Sequence, residues 1–211
     1  TLNTTFRCPR AVVAAAQKLV PGYQAAPSAP EGIVRTAEYE RMFSEAAAGD
    51  FILSRKNAPL AKICLRLLRE GKKAIIRGRK IGEGLVSTVN SLDAASIPEL
   101  FENLDVWEQN VVAGYIAQKA PETKIELIHD QANTIRFLGE GLASVPELVA
   151  RINTLFGDAT PGNSVICSSV HRSKGLEAQR VFLLTDTLYP GKSVSDEEIH
   201  IHYVALTRSK H

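Results

Sequence analysis

Three short stretches hold the residue types that could do chemistry. Thr5-Phe6-Arg7-Cys8-Pro9 stands just before a helix-like run. Ser169-Val170-His171-Arg172-Ser173-Lys174-Gly175-Leu176-Glu177 follows an apolar run directly. Glu197-Glu198 leads to Tyr203-Val204-Ala205-Leu206-Thr207-Arg208 near the C-terminus. Arginine is permanently charged and offers a rigid fork of donors, which suits it to oxyanions such as phosphate. Charge spreading over phosphoryl oxygens during transfer is met by fixed cations of this kind. An aromatic ring beside such an arginine is a stacking surface, and a carboxylate is an acceptor for hydroxyls. Taken singly, each stretch has a plainer reading: surface packing for Phe6-Arg7, a turn for Lys174-Gly175, a helix-end charge for Arg208.

In this order, and separated by strand and helix runs, the three stretches resemble motifs IV, V and VI of the UvrD/Rep-type superfamily 1 DNA helicases. Phe51-Ile52-Leu53-Ser54-Arg55-Lys56-Asn57-Ala58 is similar to their motif IVa. The likeness spans residues 1–80 and 160–211 and is weak between them. Lys174-Gly175-Leu176-Glu177 is its most specific piece, and Lys-Gly there, where helicases of opposite polarity have Gln-Gly, implies 3′→5′ translocation. The resemblance implies a C-terminal, RecA-like motor domain that supplies half of an ATP site and part of a single-stranded DNA track. It implies Arg7 and Arg208 as catalytic cations on the γ-phosphate, with Phe6, Gly175 and Glu177 also binding ATP. Phe6 would stack on adenine where the family has Tyr, and Glu177 would accept from the ribose hydroxyl. Arg55, Asn57 and His171 would contact DNA, through phosphate or base. Lys174 and Tyr203 would couple the two sites. Ala178 departs from the family, which carries a larger residue there.

The elements that must position these residues can be read from periodicity. Pro9 followed by residues 10–20 predicts a helix, stopped at Pro21-Gly22. Residues 33–35 read as a short strand and 38–48 as a helix. Phe51-Ile52-Leu53-Ser54 is an apolar run without polar alternation, as in a strand buried on both faces. Leu60, Ile63, Cys64, Leu67 and Leu68 have helical spacing, and Ala74-Ile75-Ile76 returns as a strand. Residues 165–168 and 181–184 are further buried-type strands, and residues 196–206 a last helix. Strand, helix and strand with short joins build parallel sheets. The expectation is an α/β fold: a mostly parallel sheet flanked by helices, with a helical insertion. Residues 1–80 and 161–211 form its two parts, and residues 81–160 the insertion. Within the insertion, Ser96-Ile97-Pro98-Glu99 and Ser144-Val145-Pro146-Glu147 are capping-box helix starts.

Charge is distributed unevenly along a chain of formal net charge +2. Residues 55–80 hold ten Lys or Arg and one acid, Glu70, whereas residues 97–158 hold ten acids and four Lys or Arg. The first stretch suits phosphates and the second repels them. Cys8, Cys64 and Cys167 are far apart and outside metal spacing, which predicts reduced thiols and a cytoplasmic protein. No apolar run approaches the roughly 20 residues of a membrane span. His200 and His202, two apart on a helix, point to different faces and imply no metal site.

The sequence contains no G-x-x-x-x-G-K-[ST] loop and no Asp-Glu pair after a strand. The resemblance therefore assigns phosphate cradling and the Mg²⁺ of Mg-ATP to an N-terminal motor domain of the same protein. By itself the chain is expected not to hydrolyse ATP. Two other readings stay open: a non-catalytic DNA- or protein-binding module, and part of a helicase–nuclease of the RecB or AddA kind.

Overall fold

A computed structural model describes residues 4–157, 162–189 and 196–210. In chain order the elements are β1 (Thr4–Thr5), α1 (Arg10–Gln17), β2 (Gln24–Ala25), α2 (Tyr39–Glu45), β3 (Phe51–Ser54), α3 (Asn57–Arg69), β4 (Ala74–Arg77) and α4 (Arg79–Ser91). They continue with α5 (Ile97–Ala117), α6 (Glu122–Gly139), α7 (Val145–Leu155), β5 (Phe156–Gly157), β6 (Val165–Ser169), β7 (Val181–Leu183) and α8 (Asp196–Leu206). The main sheet runs β5-β4-β6-β3-β7 with every pairing parallel. This is the expected α/β, RecA-like arrangement of a parallel sheet flanked by helices. The three runs read as buried strands are neighbours: Phe51 lies opposite Ile166 on one side and Val181 on the other. The run read as 181–184 departs from the expectation, because β7 is Val181–Leu183, an edge strand and half-buried.

Strand period decides which way each side chain packs. Ile52, Ile76, Val165 and Cys167 turn to one face, against α3, α4, α6 and α7. Phe51, Leu53 and Ile166 turn to the other, against Ile201 and Ala205 of α8. Both faces are covered, so the central strands carry no polar alternation. A smaller cluster of Cys8, Val12, Val13, Ala16 and Tyr23 sits where α1 meets α8, beside the two-stranded β1-β2 pair. The helices α4 to α7 share the first core with the sheet, through Leu85, Leu100, Ile135 and Leu148.

Both serines cap their helices, and each glutamate returns a bond to the residue before the cap rather than to the cap itself. Ser96 Oγ accepts from Glu99 N at 3.3 Å, and Glu99 accepts in return from Ala95 N at 2.8 Å. Ser144 and Glu147 repeat the pattern, with Ala143 N as the returning donor at 3.2 Å.

Four further expectations are corrected. Residues 33–35 form no strand, and Ile33 is 79% exposed. A strand needs a partner edge, and here the preceding carbonyls of Pro30 and Glu31 instead accept from Arg10 N and Ala11 N at the start of α1. Helix α1 stops at Gln17 rather than at residue 20, because the next backbone N–H groups, of Leu19 and Val20, close a tight turn on Ala16 O. Helix α2 spans Tyr39–Glu45, inside the expected 38–48. Finally, Phe156–Gly157, within the stretch read as helical, is an edge strand of the sheet, pairing Phe156 with Ile76. Gly82 permits its approach: a Cβ there would lie 2.7 Å from Phe156 Cβ.

Candidate functional site

Arg55, Asn57 and His171 follow the carboxyl ends of β3 and β6, where open α/β sheets bind ligands. Arg7, Glu177 and Arg208 gather instead at the far end of α8, beside the segment that enters β7, where Arg180 O already accepts from Phe51 N at the start of β3. Arg7 Nη1 donates to Glu177 Oε1 at 3.1 Å, and Lys210 Nζ lies 2.8 Å from the other oxygen. Lys210 first and Arg7 second hold the Glu177 carboxyl below the usual carboxylate range. Arg208 stands close behind, only 7% exposed. Its guanidinium donates to the carbonyls of Val204 at 3.0 Å and Leu176 at 3.3 Å. Burial lowers its pKa, and the positive charge of Arg7 adds to that effect. Arg7 and Arg208 are therefore neighbours, but Arg208 is buried rather than lining an open face. Phe6 is 84% exposed beside them.

Backbone pairing brings these groups together. Ala178 N donates to Arg208 O at 3.1 Å and Lys210 N to Ala178 O at 2.9 Å, which sets Glu177 against the C-terminal end. Ala178, small where the family is large, packs in the α8-side core at 4% exposure. Gly175 has φ +83°, and a Cβ there would meet nothing within 4 Å, so its glycine serves the left-handed turn. Lys174, exposed, precedes it. Tyr203 stacks edge-on against Tyr23 with centroids 5.1 Å apart. Tyr23 in turn donates to Cys8 Sγ at 3.5 Å, and Cys8 Sγ donates to Thr207 O at 3.8 Å. This chain ties the segment carrying Arg7 to the end of α8, and burial raises the Tyr23 phenol. Lys210 and Tyr23 carried no motif or period that could have marked them.

Arg55, Asn57 and His171 line one cleft of about 620 Å³, together with Lys56, Lys80 and Arg172. Its far wall comes from α4 and α6, through Ile81, Gln131 and Asp130 among others. Arg55 Nε donates to Glu198 Oε1 at 3.0 Å, and its backbone N–H to Thr187 Oγ1 at 3.0 Å. Asn57, opening α3, is held by Asp130 of α6. Loss of hydration, then the charges of Arg55 and Lys174, lower the His171 pKa, which favours the neutral ring. His202 is engaged by the Tyr189 hydroxyl at 2.7 Å, while His200 is exposed. The sequence placed Glu198 in a motif without its partner, and gave no sign of Asp130.

Residues 123–211 match the model of the UvrD-like helicase C-terminal domain. No curated protein matches the chain. The matched span contains β6, β7 and α8, and with them His171, Glu177 and Arg208. Over residues 123–211 the chain therefore matches the UvrD-like helicase C-terminal domain, which supports the resemblance to a C-terminal fragment of a UvrD/Rep-type superfamily 1 helicase.

Proposed function

We propose that this domain supplies half of the ATP site and part of the single-stranded DNA track of a 3′→5′ helicase, and that alone it does not turn over ATP. The observation that carries the reading is the pairing of Arg7 and Lys210 with the single carboxylate of Glu177, with Arg208 buried close by. Two cations share one anion, and the charge of Arg7 already weighs on Arg208. A polyphosphate fits such a site because it relieves like-charge repulsion. In this role ATP supplies the scissile phosphoanhydride. Arg7 and Arg208 place fixed positive charge toward its phosphates, with Arg208 held rigid by its carbonyl partners. Phe6 offers an open ring for the base, and Glu177 an acceptor for the sugar hydroxyl. Mg²⁺ would be held by the N-terminal motor domain, a partner within the same protein. In this division of the chain α4 to α7 form the inserted helical segment between the motor parts 1–80 and 161–211. The three unpaired thiols suit a reducing, cytoplasmic compartment.

The cleft holding Arg55, His171, Lys80 and Arg172 suits a phosphate backbone, and contacts of that kind need no base sequence. The test is made in the intact protein together with the first motor domain. Arg208→Ala should lower kcat about 10³-fold or more while KM changes little, the behaviour of an arginine finger. The present chain alone should show no turnover. A wild-type kcat for Arg208→Ala, or turnover that copurifies with this chain, refutes the reading.

A further inference from the structure

Asn57 differs from Arg55 in that its amide can face a ligand either way round, as donor or as acceptor. Asp130 of α6 removes the choice. Its Oδ1 accepts from Asn57 N at 3.0 Å and Ala58 N at 2.9 Å. Its Oδ2 accepts from Asn57 N at 2.7 Å and from Asn57 Nδ2 at 3.0 Å. With N–H groups directed at both oxygens, the carboxylate has only acceptor roles left, so the amide nitrogen must be the end that faces it. Asn57 Oδ1 is then the end without a partner, and it is buried among the described residues. Asp130 is itself 7% exposed, so this arrangement is not a solvated surface contact.

An amide fixed in this sense can take only a hydrogen-bond donor. A phosphodiester has no proton to give, and an internal deoxyribose has no hydroxyl. Every nucleobase carries at least one N–H. We infer that Asp130 is a positioning residue that commits Asn57 to accept from a nucleobase edge, while Arg55 and its cationic neighbours meet the phosphates. The inference rests on the reading of this cleft as a DNA track. The oxygen is covered in the unliganded cleft, so a base reaches it by displacing a side chain of the cleft wall.

The test compares binding of this chain to labelled oligothymidylate and to an equal-length oligomer of N3-methylthymidine, by fluorescence anisotropy. The methylated oligomer keeps the backbone and the ring but lacks the N–H. The wild type should prefer oligothymidylate about threefold to tenfold, the range of one hydrogen bond. Asn57→Leu keeps the bulk, removes the acceptor and should bind both equally. Asp130→Asn keeps an acceptor for the α3 backbone, frees the amide of Asn57 and should narrow the preference. If Asp130→Asn does not fold, Asn57→Leu still decides, because it leaves the Asp130 bonds to the α3 backbone in place. Absence of the preference in the wild type, or its survival in Asn57→Leu, overturns the inference while the DNA track stands. Its survival in a folded Asp130→Asn overturns the role of Asp130. Binding to neither oligomer overturns the DNA reading and the inference with it.

Discussion

Replacing Glu198 by Ala removes the partner of Arg55 and leaves a guanidinium largely out of water. The two side chains are 13% and 11% exposed, and Nε lies 3.0 Å from Oε1. Arg55 cannot swing away freely, because its own backbone N–H is held by Thr187 and it opens onto α3. Breaking a pair buried to this degree costs about 3 kcal/mol or more, most of it the uncompensated charge. For a chain of 211 residues, each kcal/mol moves Tm by about 2–4 °C, so the expected fall is ~6–12 °C. Thermal and urea unfolding, followed by circular dichroism, measure it. The double variant Arg55→Met with Glu198→Ala should recover much of the loss, since no charge is then stranded. Glu40→Ala, removing an exposed partner of Arg66, is the control and should leave the midpoint where it is. A Glu198→Ala midpoint within 1–2 °C of wild type, or strictly additive single losses in the double variant, would refute the reasoning.

Ile135→Ala, in α6 and fully buried in the core shared with the sheet, should cost about 2–5 kcal/mol. Unfolding should remain a single transition, and a separate early melt of the helical segment would contradict the shared core. Gly82→Ala should destabilise by clashing with Phe156, beyond the roughly 1 kcal/mol that alanine adds to a helix interior. Gly114→Ala in α5, where a Cβ meets nothing within 4 Å, should stabilise by up to about 1 kcal/mol. For His171 the folded pKa lies below the unfolded value near 6.5, so the unfolded chain binds more protons between the two. Stability should therefore fall as pH drops through that window, and His171→Gln should flatten the slope. Bound oligonucleotide should raise the His171 midpoint in an NMR titration, as an added anion favours the charged ring. An unmoved midpoint would place the strand elsewhere.

Much of the fold was legible because its signals are local. Phe51-Ile52-Leu53 and Val165-Ile166-Cys167 are apolar at every position, which is enough to predict strands covered on both faces. Ser96 with Glu99, and Ser144 with Glu147, mark helix starts from residues three apart. Phe6, Arg7, Glu177 and Arg208 were likewise singled out by short motifs. What the sequence left open concerns partners far apart along the chain. Glu177 meets Arg7 across 170 positions, Arg55 meets Glu198 across 143, and Asp130 reaches Asn57 across 73. No period or composition connects such pairs; they exist because the parallel sheet sets distant segments side by side and because α6 and α8 fold back against it. Tertiary structure alone decided that Lys210 joins the Arg7–Glu177 pair and that Arg208 is buried. It also decided that residues 33–35, which follow carbonyls engaged by the start of α1, stay irregular while Phe156–Gly157 becomes a strand. A two-residue strand has no period to read, and its place is set by Gly82 and by the open edge of β4.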